Sequence, residues 1–355
     1  MARRYPPSSL WATALAFLLL LAIGTPSLNA QSLKATKVRF LREAPQAWEA
    51  YREYSVELQG KRTAVLKNWS SGTITFDSTT SEDIKQNRSS ALVARESSNS
   101  RTDKDGKETS QKSRQVFGSN SKYAFTLAWL EPKNVWVLGN YSQDPQHVMP
   151  EARKPTRDLA SEGVAPHFFF ITTRLTDLVK DPKFSIKKVS PMEKEGRQLV
   201  RVDFQHSTTR ARSSENYSGW MAFDPERSWC LLEIQMDVAF SFGIKGPWHM
   251  ESVVKPGSQG HPIITRFQST IIGNTDSKAP SRREMVIEYD LHENASVSDW
   301  DFTLSSFGLP EPHGVVWNAP PRYHVWLIGG ALVALILAVF LRRKTSGKIN
   351  PVVKQ

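Results

Sequence analysis

Glu288 and Asp290 stand two residues apart in the stretch MVIEYDL, residues 285–291. Residues two apart on a strand share a face, so these carboxylates could meet as an acid–base pair does. The same alternation also gives a plainer reading. Met285, Ile287, Tyr289 and Leu291 take the buried side, and the two acids take the solvated one. Cys230, the only cysteine, opens a second alternating run and falls on its apolar side, which makes it a small core residue and not a nucleophile. Asp103-Lys104-Asp105-Gly106 has the beginnings of a calcium loop, but the aligned first and twelfth positions are Arg101 and Lys112, whose charge repels the ion. A hairpin tip with Asp-Gly chemistry accounts for it. The eight histidines, His147 to His324, are scattered singly. No phosphate loop, nucleophile elbow or His-Glu-x-x-His pair is present. The expectation is a protein that is not an enzyme and has no cofactor and no metal.

What the sequence does offer is apolar surface at strand spacing. Cys230, Leu232, Ile234, Met236, Val238, Phe240 and Phe242 alternate with mostly polar residues, which predicts a long strand with one buried face. Tyr217, Gly219, Met221 and Phe223 precede it in the same period, and Asp224-Pro225-Glu226-Arg227 between them is turn-forming, so the two runs form a hairpin. The pattern recurs at Tyr123–Trp129 with Val135 and Val137, at Phe184 and Ile186 with Val200–Phe204, and at Ile263–Ile271 with Met285–Leu291. Val56-x-Leu58, Ile74-x-Phe76 and a pair within residues 82–117 complete about ten or eleven strands. Short turns between them argue for one antiparallel meander and a mainly β fold.

Such a sheet must cover its aromatic inner face. Pro45, followed by Ala47, Trp48 and Tyr51, predicts a short helix with proline in its first turn. Between Pro166 and Pro182, Phe168, Ile171, Leu175, Leu178 and Val179 recur at helical spacing and predict a lid helix, with the polar stretch 142–165 before it as a loop. If these helices cover the sheet incompletely, an apolar cavity lies between Phe168, Ile171, Leu175 and Val179 of the lid and Leu232, Ile234 and Met236 of one strand. These seven residues are the candidate ligand site.

The two ends of the chain address the membrane. Residues 1–30 combine Arg3 and Arg4, an apolar run from Leu10 to Ile23, and Leu28-Asn29-Ala30, the layout of a secretory signal peptide cut before Gln31. Val325–Leu341 is a run of 17 apolar residues, near the lower limit for a transmembrane helix. Arg342, Arg343, Lys344, Lys348 and Lys354 follow it with no acid, which places residues 342–355 in the cytoplasm and residues 31–319 outside as one domain. Pro310-Glu311-Pro312 ahead of the apolar run also resembles a bacterial PEP-type sorting signal, in which a membrane peptidase removes the anchor. The formal charge of +11 is concentrated at these ends, since residues 31–319 hold 38 bases against 35 acids. No basic groove for nucleic acid is expected. A single cysteine in an exported chain of this size points to a bacterial periplasm. The Asn-x-Ser sequons at Asn68, Asn87, Asn140, Asn216 and Asn294 are read as chance in a serine-rich chain.

Taken together, the Trp48/Tyr51 helix, the stretch HFFFITTRLTDLVKDPKFSI and the hairpin GWMAFDPERSWCLLEIQ with its Gly-x-x-x-x-Asp-Pro-Glu turn resemble the periplasmic lipoprotein-carrier superfamily, the Lol carriers and their relatives, over residues 40–312. The resemblance implies an eleven-stranded half-barrel covered by helices that holds acyl chains. The expected function is a membrane-tethered, non-catalytic binding domain for a lipid acyl chain or a lipoprotein. The alternative is a structural or interaction protein of the envelope with a filled core.

Overall fold

The computed structural model describes residues 10–102, 106–150, 152–210, 213–239, 245–274, 280–293, 296–317, 331 and 333–338. The chain divides into two compact units between Phe302 and Thr303.

The first unit begins with helix α1 (Leu10–Ser55), followed by strands β1 (Leu58–Ser70), β2 (Thr73–Gln86), β3 (Ala91–Thr102), β4 (Glu108–Ser119), β5 (Ala124–Leu130) and β6 (Val135–Ser142). A connecting region then carries α2 (Thr156–Val164), the two-residue strands β7 (Phe169–Phe170) and β8 (Thr173–Arg174), and the single turn α3 (Leu175–Leu178). Seven strands follow: β9 (Phe184–Lys194), β10 (Arg197–Arg210), β11 (Ser213–Asp224), β12 (Cys230–Ala239), β13 (Lys245–Pro256), β14 (Pro262–Asn274) and β15 (Pro280–Glu293).

Thirteen strands form one antiparallel sheet in the order β6-β5-β4-β3-β2-β1-β15-β14-β13-β12-β11-β10-β9. The mainly β class is as expected, but the strand count of eleven and the single meander are not. Two meanders, β1–β6 and β9–β15, are joined where the first and last strands pair, from Leu58↔Glu293 to Ser70↔Ser281. The chain leaves at one edge, crosses one face of the sheet through residues 143–183, and re-enters at the far edge. Among the described residues the edges β6 and β9 do not pair, so the sheet is open and not a closed barrel. β13 is the sheet strand whose sequence shows no clear alternation. Its inward set Trp248, Met250, Ser252 and Val254 is part polar and follows Gly246-Pro247, which masks the alternation.

Two other corrections concern the cover. α1 runs through Pro45 without a break, so this proline is not in a first turn. A proline inside a helix removes one backbone hydrogen bond. Here a buried stripe of Phe40, Ala44, Trp48 and Tyr51 holds the helix in place. Trp48 Nε1 donates to the Trp229 carbonyl at 2.8 Å and Tyr51 Oη to the Pro262 carbonyl at 3.0 Å. The expected lid helix over 166–181 is instead a 3-10 turn (Pro166–Phe168), the β7–β8 hairpin and one turn of α3. The stretch Phe168-Phe169-Phe170-Ile171-Thr172-Thr173 is built from residues that favour extended backbone, and this outweighs the helical spacing of its apolar members. The true second helix, α2, lies in the expected polar loop. It buries Leu159, Ala160, Gly163 and Val164 against β1–β4. A Cβ at Gly163 would sit 2.5 Å from Ile84 Cδ1, so glycine is what lets the helix lie this close.

The second unit contains a 3-10 turn, Leu304–Phe307, ended by Gly308 at φ 76°. Of the expected span Val325–Leu341, only 331 and 333–338 are described, as helix, with Val333, Leu335, Ile336 and Leu337 exposed. Among the described residues no helix is long and apolar enough to cross a membrane. Residues 1–9 and 342–355 of the two expected terminal segments lie outside the described residues, as do Asp103, Lys104 and Asp105.

Candidate functional site

The sheet alternates buried and exposed side chains, and register sets which of the inward ones meet. Ile234 pairs with Met250, Met250 with Ser269, and Ser269 with Met285, a row across four strands. One row along, Ser252 pairs with Phe267 and Phe267 with Ile287. These two rows, with Leu232 from β12, are the floor of a cavity of about 190 Å³. Trp248 closes one side and donates through Nε1 to Ser269 Oγ at 2.7 Å, which removes that hydroxyl as a free polar group.

The roof comes from the connecting region: Pro166, His167, Phe169 and Ile171, with Glu162 from α2 at its edge. Ile171 turns the β7–β8 hairpin at φ 60°. A β-branched side chain in the left-handed region is a genuine outlier, and this one is spent pointing into the cavity wall. His167 is 1 % exposed, and neither ring nitrogen makes a well-formed hydrogen bond, the Pro262 carbonyl offering only a weak one. Burial lowers its pKa to about 3, more than the Pro262 carbonyl can offset, so the ring is neutral.

At the far end the floor turns polar. Tyr289, Arg62, Glu82 and Arg95 are successive cross-strand partners on β15, β1, β2 and β3. Glu82 is 3 % exposed and accepts from Arg62 and, at 2.7 Å, from Arg95. Burial works against its charge, but the two guanidiniums outweigh this and hold its pKa below the usual carboxylate value. Burial also raises the Tyr289 hydroxyl to about 12, against the charge of Arg62 and a weak hydrogen bond to it, and Tyr289 Oη makes no well-formed hydrogen bond.

Of the seven candidate residues, Ile171, Leu232 and Ile234 line this cavity. Phe168 turns away and stacks on Tyr51, and with Leu175 it borders a smaller void of about 30 Å³ beside Trp48. Met236 and Val179 pack into the surrounding core, Met236 fully and Val179 partly buried. His167, Arg62 and Tyr289 were not among the candidates. Tyr289 and its neighbours Ile287 and Met285 could have been found from their alternation, since the floor needs a second strand beside β12. Arg62 sits in Lys61-Arg62-Thr63, where nothing in the sequence marks one base as inward.

The remaining candidate chemistry is quiet. Cys230 is buried, and burial raises its thiol pKa far above the ordinary value. Glu288 is paired with Arg266 on the exposed face at 3.3 Å. Ser228 Oγ and His261 Nδ1 lie 2.9 Å apart. However, Glu293 bonds Tyr54 and Ser258 in place of the imidazole, which stacks on Tyr54 at 4.6 Å. Among the described residues no group of three or more potential metal ligands is assembled.

No protein-family profile matches the chain, and no curated protein matches it. Among solved structures, a porin-like protein from Bacteroides uniformis aligns over 68 % of this chain and 98 % of its own, at 6 % identity and a TM-score of 0.24. A mutant porin of Rh. blastica aligns over 65 % and 98 % at 8 % identity and 0.17, and chicken CD1-1 over 64 % and 90 % at 9 % identity and 0.13. Scores this low carry no argument about fold or function.

Proposed function

We propose that this chain is a non-catalytic acyl-binding domain of a bacterial envelope, tethered by a single span at 325–341 with its basic tail in the cytoplasm. In this reading the open sheet curves as a half-barrel about its cover, as in the lipoprotein carriers that the sequence resembles. The ligand is a lipid acyl chain or the acylated end of a lipoprotein. The observation that carries it is the cavity between Leu232 and Ile234 on the sheet and Phe169 and Ile171 on the roof. Its volume of about 190 Å³ compares with the roughly 150 Å³ of apolar cavities that stay dry and take up benzene. That is room for a short chain or the end of a long one. About six buried methylenes at roughly 0.8 kcal/mol each supply some 5 kcal/mol before the cost of ordering.

The test is binding of a fluorescent fatty acid to the full chain. Ile171→Asp places a charge in the cavity wall, and Asp tolerates the left-handed backbone better than Ile does, so the variant folds and loses binding. Glu288→Lys, on the opposite, solvated face, leaves binding intact. If the wild-type chain takes up no acyl probe, the acyl-binding reading fails, and a structural role with a filled core replaces it.

A further inference from the structure

The cavity's polar end specifies a head group as well as a chain; this inference rests on the acyl-binding reading and deepens it. In the row Tyr289–Arg62–Glu82–Arg95, two guanidiniums face one carboxylate, which leaves the buried row net positive. Arg62 and Tyr289 reach the cavity wall. A guanidinium has five donors and no acceptor, and a protonated tyrosine supplies another donor. Above them stands His167, 1 % exposed with neither ring nitrogen in a well-formed hydrogen bond, facing the same space as Tyr289, whose Oη at 9 % exposure has only a weak contact with Arg62. Buried polar atoms are almost always paired, and an unpaired one lowers stability. Two such poorly bonded groups on the wall of one cavity mark the place where a ligand completes the bonding.

Donors dominate this wall. The carboxylates that touch it are already engaged: Glu162 by Lys154, and Glu233 by Lys194 and His249, both at 2.8 Å. The missing partner is therefore an acceptor, and the net positive row favours an anionic one. We propose that the cavity binds a carboxylate-headed amphiphile, with the head among Arg62, Tyr289 and His167 and the tail along Leu232, Ile234 and Met285. The volume suits a chain of about eight carbons, or a longer one that leaves through the mouth.

Calorimetric titration of the full chain with octanoate, 1-octanol and octylamine tests this. Octanoate is expected to bind at least tenfold more tightly than octanol, and octylamine weakest. His167→Phe and Tyr289→Phe remove the polar atoms while keeping the rings, and each lowers octanoate affinity about five- to tenfold with octanol unchanged. His167→Gln, which restores a donor and an acceptor, recovers most of the loss, whereas a merely structural role for the ring would show no such recovery. If octanoate and octanol bind equally and the two phenylalanine variants shift neither, the head-group proposal is overturned while acyl binding stands. If neither ligand binds, the acyl-binding reading falls and this proposal with it.

Discussion

The rings of Tyr51 and Phe168 lie stacked, their centroids 3.8 Å apart and 15° from parallel. Tyr51 belongs to the helix that precedes the sheet, Phe168 to the segment that roofs the cavity, and the Pro262 carbonyl of the sheet strand β14 accepts from Tyr51 Oη. The pair thus fixes the roof to a helix that is itself fixed to the floor. Roof position is set by aromatic packing, not by a continuous lid helix.

Removing either ring should therefore loosen the roof. Tyr51→Ala and Phe168→Ala are each expected to cost about 3–5 kcal/mol, as truncated buried aromatics do. Their coupling in a double-mutant cycle should be about 0.5–1.5 kcal/mol. Tyr51→Phe loses only the hydrogen bond to Pro262 and should cost about 1 kcal/mol. Chemical denaturation of the parent chain, the three single variants and the double variant measures these quantities, and a coupling of zero would mean that the stack does not tie helix to roof.

Ile171 carries a different prediction. Its φ of 60° costs a β-branched residue roughly 1–2 kcal/mol, which nearly offsets what its partly buried side chain contributes. Ile171→Gly should leave stability within about 1 kcal/mol of the parent chain. By contrast, Ile264→Ala, at a fully buried position with ordinary backbone, should cost about 2–5 kcal/mol. Acyl binding should show the reverse order, weakened by the first change and little affected by the second. Thermal melts and probe titration on the same samples separate the two effects.

The contrast between these positions explains what the sequence made legible. Strands β11, β12, β14 and β15 could be read because alternation is a local property that register preserves. Leu232 and Ile234 were placed on the cavity wall for the same reason. The roof is not legible in the sequence because Phe168, Ile171, Leu175 and Leu178 satisfy helical spacing, while the backbone choice is made by the β-forming residues between them and by Tyr51, more than a hundred positions away. α2 stays hidden because Leu159 and Val164 are the only large apolar residues on its buried face, the rest being Thr156, Ala160 and Gly163, which carry little hydrophobic signal. The pairing of β1 with β15 joins the two ends of the domain, and no local pattern encodes it.

His167 makes stability depend on pH in a defined window. The folded ring has a pKa near 3, below its ordinary value of 6.5, because burial excludes the charge. The unfolded chain then binds a proton that the folded one refuses, so stability falls as pH drops from about 6.5 toward 3. The slope approaches about 1.4 kcal/mol per pH unit in the middle of that window. His167→Phe should flatten the curve there and leave stability above pH 7 nearly unchanged or raised. Denaturant midpoints at pH 7.5, 5.5 and 4.5 decide this, and equal losses in both chains would assign the effect elsewhere.

Glu82 acts lower on the pH scale and with the opposite origin. Burial disfavours its charge, but Arg62 and Arg95 outweigh burial and depress its folded pKa below the reference value of 4.5. Its contribution is complete above that reference value and is lost as pH falls through the folded pKa, since the acid must then be protonated beside two guanidiniums. At neutral pH, Glu82→Gln leaves Arg62 and Arg95 without their shared anion and should cost about 3–5 kcal/mol. Replacing the whole group, as Arg62→Met/Glu82→Leu/Arg95→Met, should cost less than the single change, because no unpaired charge remains buried. The triple variant should also lose the preference for octanoate over octanol while still binding both. A single change milder than the triple one, or a triple variant that keeps the preference, would remove the buried row from both stability and recognition.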